Sequence, residues 1–237
     1  MKKAASILII LMIIFAAQCV FAVVKVVNHT ATIIDGKEQS SGDTTTYYTE
    51  DKLRMEAPNG MITIVRLDKA AIWSLDPNTK TYTEQTVEQM IEQMKNIPKG
   101  MMDIELDVEK TDEKKKIGKY NCRKIIISMK MMGMPTETEI WATKDIEVDS
   151  VMLKFTENAQ KVFEEVPMLK QTYGMFEEVF DLKAYPVETV TEMNVFGRMT
   201  KNSSTLKSIS EEKLDDSLFE IPEGYSKSKM PGFGGGK

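Results

Sequence analysis

Short stretches rich in threonine, valine, isoleucine and tyrosine recur over residues 23–82, and turn signals separate them. The signals include DG at 35–36, PNG at 58–60 and DPN at 76–78. They recur about every 8 to 12 residues, which is typical of antiparallel meanders because glycine, proline, asparagine and aspartate favour tight chain reversals. The first third of the chain is therefore predicted to form an antiparallel sheet.

Strand periodicity is clearest at residues 52–57, where Leu53 and Met55 alternate with charged side chains. This pattern predicts a strand with one side on the core and the other side in water. The charge run at residues 112–116, followed by Gly118, predicts a solvated turn. Similar strand signals predict further strands over residues 103–110, 119–130, 136–143, 185–194 and 197–210.

Two segments have the period of amphipathic helices, namely residues 84–96 and residues 156–182. In the first, apolar side chains that include Met90 and Met94 recur at steps of three and four residues. The apolar stripe of the second contains Pro167, which lacks a backbone donor. We therefore predict one helix in the first segment and a kinked helix or two helices in the second.

The chain is predicted to form a single domain. It has 237 residues, of which 42% are apolar, and no segment resembles a linker between independent cores. A long antiparallel sheet must curl, and the few helices must bury their apolar stripes against it. We predict an α+β fold, in which a curved antiparallel sheet forms an incomplete β-barrel and amphipathic helices pack on its concave face. The domain spans residues 23–229, between a signal peptide at 1–22 and a flexible glycine-rich tail at 230–237.

The first 22 residues have the layout of a secretory signal. Two lysines follow the initial methionine, residues 7–17 carry no charge, and small or modest side chains precede a possible cleavage point after Ala22. We predict cleavage near Ala22 and export to the periplasm or cell envelope. Cleavage would remove Cys19 and leave Cys122, which lies in a strand-like run and is expected to be buried.

Charge and residue counts argue against several classes of function. A formal net charge of −5 leaves no basic field for a phosphate backbone, so nucleic acid is excluded as a partner. One histidine and two cysteines are too few for the usual histidine-rich or four-cysteine metal sites. No nucleophile, base and orienting partner converge in sequence. We therefore predict a protein that is not an enzyme, with no catalytic residue and no cofactor.

Methionine is abundant, with 18 residues, and four methionines fall within six residues at Met129, Met131, Met132 and Met134. Four thioethers could bind a soft ion such as Cu(I). Gly133 between them indicates a hairpin tip, and no cysteine or histidine lies nearby in sequence. The pattern favours an adaptable apolar contact surface, because methionine is unbranched and polarizable. Soft-metal binding stays open as an alternative.

Other methionines fall on the predicted inner faces of strands and helices. A well-specified core favours leucine, isoleucine and valine, because methionine defines a single packing arrangement poorly. A pocket for flexible acyl chains tolerates methionine better. We therefore predict an apolar pocket lined by Leu53, Met55, Met61, Trp73, Met90, Met94, Phe176 and Phe180.

Five sequence blocks, taken in order, resemble a known family. They are YYTEDKLRME at 47–56, AIWSLDPNTKTY at 71–82, IGKYNC at 117–122, EIWATKDI at 139–146 and FEIPEGY at 219–225. Together they resemble DUF4412, a family of exported bacterial proteins that is similar to the LolA/LolB-like lipoprotein-carrier superfold. That superfold is an incomplete antiparallel β-barrel closed by helices around an apolar cavity. The resemblance implies the same architecture and supplies no catalytic residue.

Besides soft-metal binding by residues 129–134, two functional hypotheses follow from these patterns. The first is an envelope protein that binds an apolar ligand, such as the acyl chains of a lipid or lipoprotein, in a half-barrel cavity; the lipid partner rests on fold analogy. The alternative is a structural or protein-contact module of the envelope, in which the cavity is filled core and the partner is another envelope protein.

Overall fold

The computed structural model describes residues 20–95, 104–131, 133–147, 150–166, 184–195 and 197–229. Strand makes up 63% of the structure, and the two α-helices of the described ranges are α1 (Val87–Lys95) and α2 (Ser150–Phe163). The strands are β1 Val20–Ile34, β2 Lys37–Tyr48, β3 Lys52–Glu56, β4 Ile62–Arg66, β5 Ala71–Asp76, β6 Thr81–Thr86, β7 Ile104–Ile117, β8 Tyr120–Met131, β9 Met134–Thr143, β10 Tyr185–Val195, β11 Arg198–Asp215 and β12 Ser226–Lys227.

These strands form one sheet in the order β12-β6-β5-β4-β3-β2-β1-β11-β10-β9-β8-β7. Neighbouring strands are antiparallel, except that β12 runs parallel to β6. The sheet is open, with β12 and β7 at its edges in the described part of the chain. The predicted α+β class with a large antiparallel sheet is therefore confirmed.

Most predicted strands are confirmed, but three boundaries differ from the predictions; one of them is the end of β11, which continues to Asp215, five residues past the predicted end. β8, β9 and β10 begin and end within two residues of the predicted positions. The charge run at 112–116 is not a turn, because β7 continues to Ile117 and the chain reverses at Gly118. Helix α2 begins at Ser150, six residues before the predicted start. The predicted kink at Pro167 lies outside the described residues.

The two helices pack on one side of the N-terminal strands, which we call the helix side; it carries Val65 on β4 and Ile72 on β5. Helix α1 starts after Thr86, whose hydroxyl accepts a hydrogen bond from the Gln89 backbone N–H, while the Gln89 side chain accepts one from the Thr86 N–H. This reciprocal capping fixes the start of the helix. Within the described ranges, neither helix has the length and apolar character needed to cross a bilayer.

The chain after β11 covers the opposite side of β1–β5, which we call the tail side. A single turn of 3-10 helix at Asp216–Phe219 places Phe219 in a buried cluster with Val23, Ile64 and Leu75. Phe219 is 1% exposed, so its ring is enclosed by this cluster. The chain then reaches the edge of the sheet, where β12 pairs with β6.

Two arginines on the tail side bind the crossing segment. Arg66 is 4% exposed, and its guanidinium donates to Asp68 Oδ1 at 2.8 Å and forms an ion pair with Glu220. Arg54 Nη1 donates to the Leu218 carbonyl at 3.0 Å. An irregular buried segment has no strand partner for its carbonyls, so these side chains satisfy its hydrogen-bonding groups.

Replacing Phe219 with alanine tests whether the tail belongs to the folded core. We expect Phe219→Ala to lower the free energy of unfolding by about 3–5 kcal/mol, because it removes a buried ring and leaves a cavity. Leu153→Ala is the control, since Leu153 is 37% exposed on α2, and it should change stability by less than about 0.5 kcal/mol. Urea unfolding followed by circular dichroism measures both, and equal effects would contradict the expectation.

Candidate ligand-binding site

An apolar cluster lies where the start of α2 meets the middle of the sheet. Met152 from α2 packs with Val24 and Val26 of β1, Tyr185 of β10 and Leu206 of β11. All five are at most 9% exposed. The cluster therefore links the helix to strands that come from distant parts of the sequence.

A cavity of about 370 Å³ adjoins this cluster, and we call it the helix–sheet cavity. Apolar side chains from one helix and three strands line it, and the exposed polar residues Glu147, Ser210 and Glu211 line its rim. The volume lies at the lower end of the roughly 300–1,000 Å³ that is usual for small-ligand pockets. The apolar lining consists of Val24, Met152, Tyr185 and Ile209.

Two tyrosines show how apolar this region is. Burial raises the pKa of Tyr48 to about 12, because the phenolate would lose its hydration. The Tyr48 ring also meets Phe155 of α2 edge to face, with centroids 5.8 Å apart. Burial is likewise the main cause of the raised pKa of Tyr185, which lines the cavity. Both groups are therefore held as neutral phenols.

The cluster extends along β8 and β9 to Cys122 and Trp141. Lys115 Nζ lies 4.6 Å from the centre of the Trp141 ring and 2.6 Å from Glu188 Oε1. Cys122 is 3% exposed, which confirms the expected burial, and burial is the main cause of the raised pKa of its thiol. A protonated, enclosed thiol is unreactive, so Cys122 contributes packing.

The predicted helical pocket residues Met90 and Met94 lie in a packed core. They are 8% and 9% exposed and pack with Leu67, Phe163 and Val166 between α1 and α2. They do not line the helix–sheet cavity. Phe176 and Phe180 lie outside the described residues.

The predicted strand residues are not brought together on one side of the sheet. Trp73 lies on the tail side beneath Phe219, and its Nε1 donates to Glu84 at 3.0 Å. Leu53 pairs with Val65 and so lies on the helix side, where it is half-buried. Met55 and Met61 are each 36% exposed. The structure therefore separates residues that the alternation pattern had grouped together.

Sequence reasoning missed Met152, although a usable signal existed. Met152, Phe155, Ala159 and Val162 recur at steps of three and four residues, which is the stripe that α2 buries. The predicted helix start at residue 156 excluded the first two of them. Tyr185 carried no such signal, because its position depends on pairing with β9.

The methionine-rich segment forms the tip of the β8–β9 hairpin, as its glycine predicted. Met131 lies opposite Met134 in the ladder, and Met129 is two residues from Met131. These three register positions share one side of the hairpin. Met132 lies outside the described residues. In the described ranges, no group of three or more histidine, cysteine, aspartate or glutamate side chains could hold a metal ion.

Comparisons with known proteins give one family match. Residues 30–225 match the family described as "Domain of unknown function (DUF4412)". No curated protein matches the chain.

Solved structures match with low similarity. PNGF-II in a P21 crystal is 10% identical with a TM-score of 0.40, over 88% of this chain and 31% of that chain. PNGF-II in a C2 crystal is 13% identical with a TM-score of 0.39, again over 88% of this chain and 31% of that chain. The chain thus spans about a third of the length of PNGF-II. The LolA superfamily protein NE2245 from Nitrosomonas europaea is 8% identical with a TM-score of 0.27, over 83% of this chain and 89% of that chain.

The raised pKa of Tyr48 predicts a loss of stability in alkali. Above pH 10 or so the unfolded chain ionises this phenol while the folded protein keeps it neutral, so stability falls as pH rises towards about 12. We expect Tyr48→Phe to reduce this alkaline decrease, and Tyr48→Phe combined with Tyr185→Phe to reduce it further. Urea unfolding at several alkaline pH values measures the decrease; identical pH dependence in wild type and variants would contradict the assignment.

Proposed function

We propose that this chain, which belongs to the DUF4412 family, is an exported envelope protein that holds an apolar ligand in the helix–sheet cavity. The ligand class is a flexible hydrocarbon, such as the acyl chain of a lipid or lipoprotein. The observation that carries the proposal is an apolar cavity with a polar rim at the junction of α2 and the sheet. The LolA-like function implied by the sequence resemblance remains a fold analogy.

The chemistry of the lining suits an acyl chain. Met152 is unbranched and adapts its shape to a flexible ligand. Each methylene removed from water contributes about 0.8 kcal/mol, so a partly enclosed chain binds usefully without hydrogen bonds to the protein. The exposed Glu147 and Glu211 at the rim keep the opening hydrated. Binding of this kind selects for hydrocarbon and not for a particular head group.

Cleavage of the leader is compatible with the fold. β1 begins at Val20, so a cut after Ala22 would remove its first three residues. Val23 and Val24 would remain, paired with Glu212 and Glu211 of β11. The strand would also keep all its pairing with β2, which starts at Val24. Both buried clusters that β1 joins are therefore retained in the exported form.

A neutral apolar probe tests the proposal. N-phenyl-1-naphthylamine should bind the full chain with a rise in fluorescence, because the apolar side chains of the lining surround the probe with a medium less polar than water. Ile209→Trp should weaken binding about tenfold or more by filling the cavity, at a modest overpacking cost. Ile34→Trp is the matched control: Ile34 is half-buried on β1 and lines none of the described cavities, so the probe should bind as in wild type.

Native mass spectrometry of protein purified from its own source is the second readout. An acyl-bearing lipid should accompany the wild-type protein and be reduced in Ile209→Trp. Failure of the wild type to bind the probe, together with absence of lipid, would overturn the proposal. That result would favour the protein-contact module, which the close packing of Met90 and Met94 between the two helices also favours.

The hairpin register favours soft-metal binding as a second candidate, because it places Met129, Met131 and Met134 on one side. If the three thioethers form a site, replacing all three with leucine should weaken Cu(I) binding by about tenfold or more. Leucine conserves most of the volume, so the fold should be retained. Competition with a chromogenic Cu(I) chelator measures the affinity. Unchanged affinity would remove this candidate.

A further inference from the structure

A second cavity, of about 580 Å³, lies along β7, β8 and the end of β9, and we call it the cationic pocket. Its charged lining contains six cationic side chains and one carboxylate, in a chain whose formal net charge is −5. The charged residues are Lys110, Lys114, Lys115, Lys116, Arg123, Lys144 and Asp145.

A bulge in β7 sets which of these charges lie opposite each other. Lys110 pairs with Ile125 and Lys114 pairs with Arg123, so β7 has two more residues than β8 across this interval. The Thr111 hydroxyl donates to the Lys124 carbonyl at 3.1 Å and fixes the bulge. Bulges redirect side chains and recur next to functional sites. Because the shift is two residues, Lys110, Lys114 and Lys116 stay on the same side as Arg123, and the bulge places Lys114 directly opposite Arg123.

Within the described residues, Lys114 and Arg123 at this bulge lack the ion-pair partners that other charged cross-strand pairs have. Lys114 lies directly opposite Arg123, and like charges in this position are destabilising. Some cross-strand pairs join opposite charges, as in Glu105 with Lys130, at 3.1 Å. Where other like charges lie opposite each other, a partner of opposite charge is present: Lys52, opposite Arg66, pairs with Asp216, and Glu192, opposite Glu137, pairs with Lys201. The like-charged pair of Lys114 and Arg123 therefore has a cost that a bound anion would offset.

Four of the cations are available to a ligand. In the described part of the chain, Lys114, Lys116, Arg123 and Lys144 form no ion pair, and all four are exposed. The single carboxylate, Asp145, accepts hydrogen bonds from the Asn121 backbone N–H at 2.9 Å and side-chain amide at 3.3 Å. No carboxylate of the lining thus neutralises these cations.

The floor beneath the cations is apolar. Ile125, Ala142 and Ala184 are 2%, 4% and 5% exposed and belong to one buried cluster. On β8 and β9 these residues alternate with Cys122 and Trp141, so they face away from the cluster that Met152 joins. Cys122 of that cluster borders the cationic pocket, but the pocket and the helix–sheet cavity share no lining residue and are therefore distinct. It combines a positive rim with an apolar floor.

We propose that the cationic pocket binds the phosphate group of an anionic amphiphile, with Arg123 and the neighbouring lysines on the phosphate oxygens and the start of the hydrocarbon chain on the apolar floor. The planar guanidinium of Arg123 suits two parallel hydrogen bonds to a phosphate. Lys114, Lys116 and Lys144 add charge on a flexible stem. This binding goes beyond the proposed function, because it does not require the helix–sheet cavity.

Calorimetric titration of the full chain tests the proposal with three probes: dodecyl phosphate below its micelle concentration, inorganic phosphate and the neutral dodecyl maltoside. Dodecyl phosphate should bind most tightly. The double variant Arg123→Gln/Lys144→Gln should weaken its binding by about tenfold or more, because two charge-assisted contacts are lost. Lys37→Gln/Lys161→Gln is the matched control, since it removes the same charge from exposed positions outside the pocket and should leave binding unchanged.

Three results would overturn the proposal. Equal affinity of dodecyl phosphate for the wild type and for Arg123→Gln/Lys144→Gln would show that dodecyl phosphate does not bind in the cationic pocket. Equal affinity for inorganic phosphate and dodecyl phosphate would show that the hydrocarbon chain does not contribute, so that the pocket is a site for free phosphate. Equal affinity for dodecyl maltoside and dodecyl phosphate would show that the phosphate group does not contribute to binding. Ile209→Trp should leave dodecyl phosphate binding unchanged. Failure of the helix–sheet cavity proposal can therefore be distinguished from failure of the cationic pocket proposal. Circular dichroism and urea unfolding verify that each variant folds.

Discussion

Pairing between β1 and β11 joins the two halves of the sheet. β1 continues through β2 to β6, while β11 continues through β10 to β7, so the order of the strands depends on this one ladder. Its partners are far apart in sequence: Lys25 Nζ lies 3.0 Å from Glu212 Oε1 across 187 residues. Such closure is costly in chain entropy and slow to form. Once formed, it provides the surface for α2 and directs the tail towards the opposite side.

The two sides of the sheet are closed by different physical means. On the helix side, apolar stripes of α1 and α2 pack against strands, and their imperfect fit to the middle of the sheet leaves the helix–sheet cavity. On the tail side, an irregular segment crosses the strands, so its carbonyls need donors; Arg54 and Arg66 provide them. This explains why Arg54 is 9% exposed while its neighbour Met55 is 36% exposed. Burial there follows hydrogen-bonding need as well as hydrophobicity.

Local chemistry explains which features the sequence could predict. Turn residues and period-two patterns are read within a few residues, so β8, β9 and β10 were placed within two residues. The alternation of β3 predicted two sides but not which side the tail would cover, so Arg54 was expected in water. The helix–sheet cavity depends on Val24, Met152 and Ile209 meeting from distant parts of the sequence, which no local pattern encodes. The charges around the β7 bulge predict a turn, because they resemble those of a solvated loop.

Charge placement separates the two candidate sites by the kind of ligand each can select. Around the helix–sheet cavity the rim is acidic and the lining apolar, so selection there depends on hydrocarbon shape and size. Along β7 and β8 the lining is cationic, and the direct opposition of Lys114 and Arg123 breaks a pairing rule that Glu105 with Lys130 obeys in the same ladder. Departures from local rules without a structural compensation are expected where a ligand supplies the missing interaction. Because the opposing charges lie on adjacent strands of a fixed register, the protein cannot relieve them by a one-residue slip of β7 without turning Val108 away from the cluster that contains Ile125.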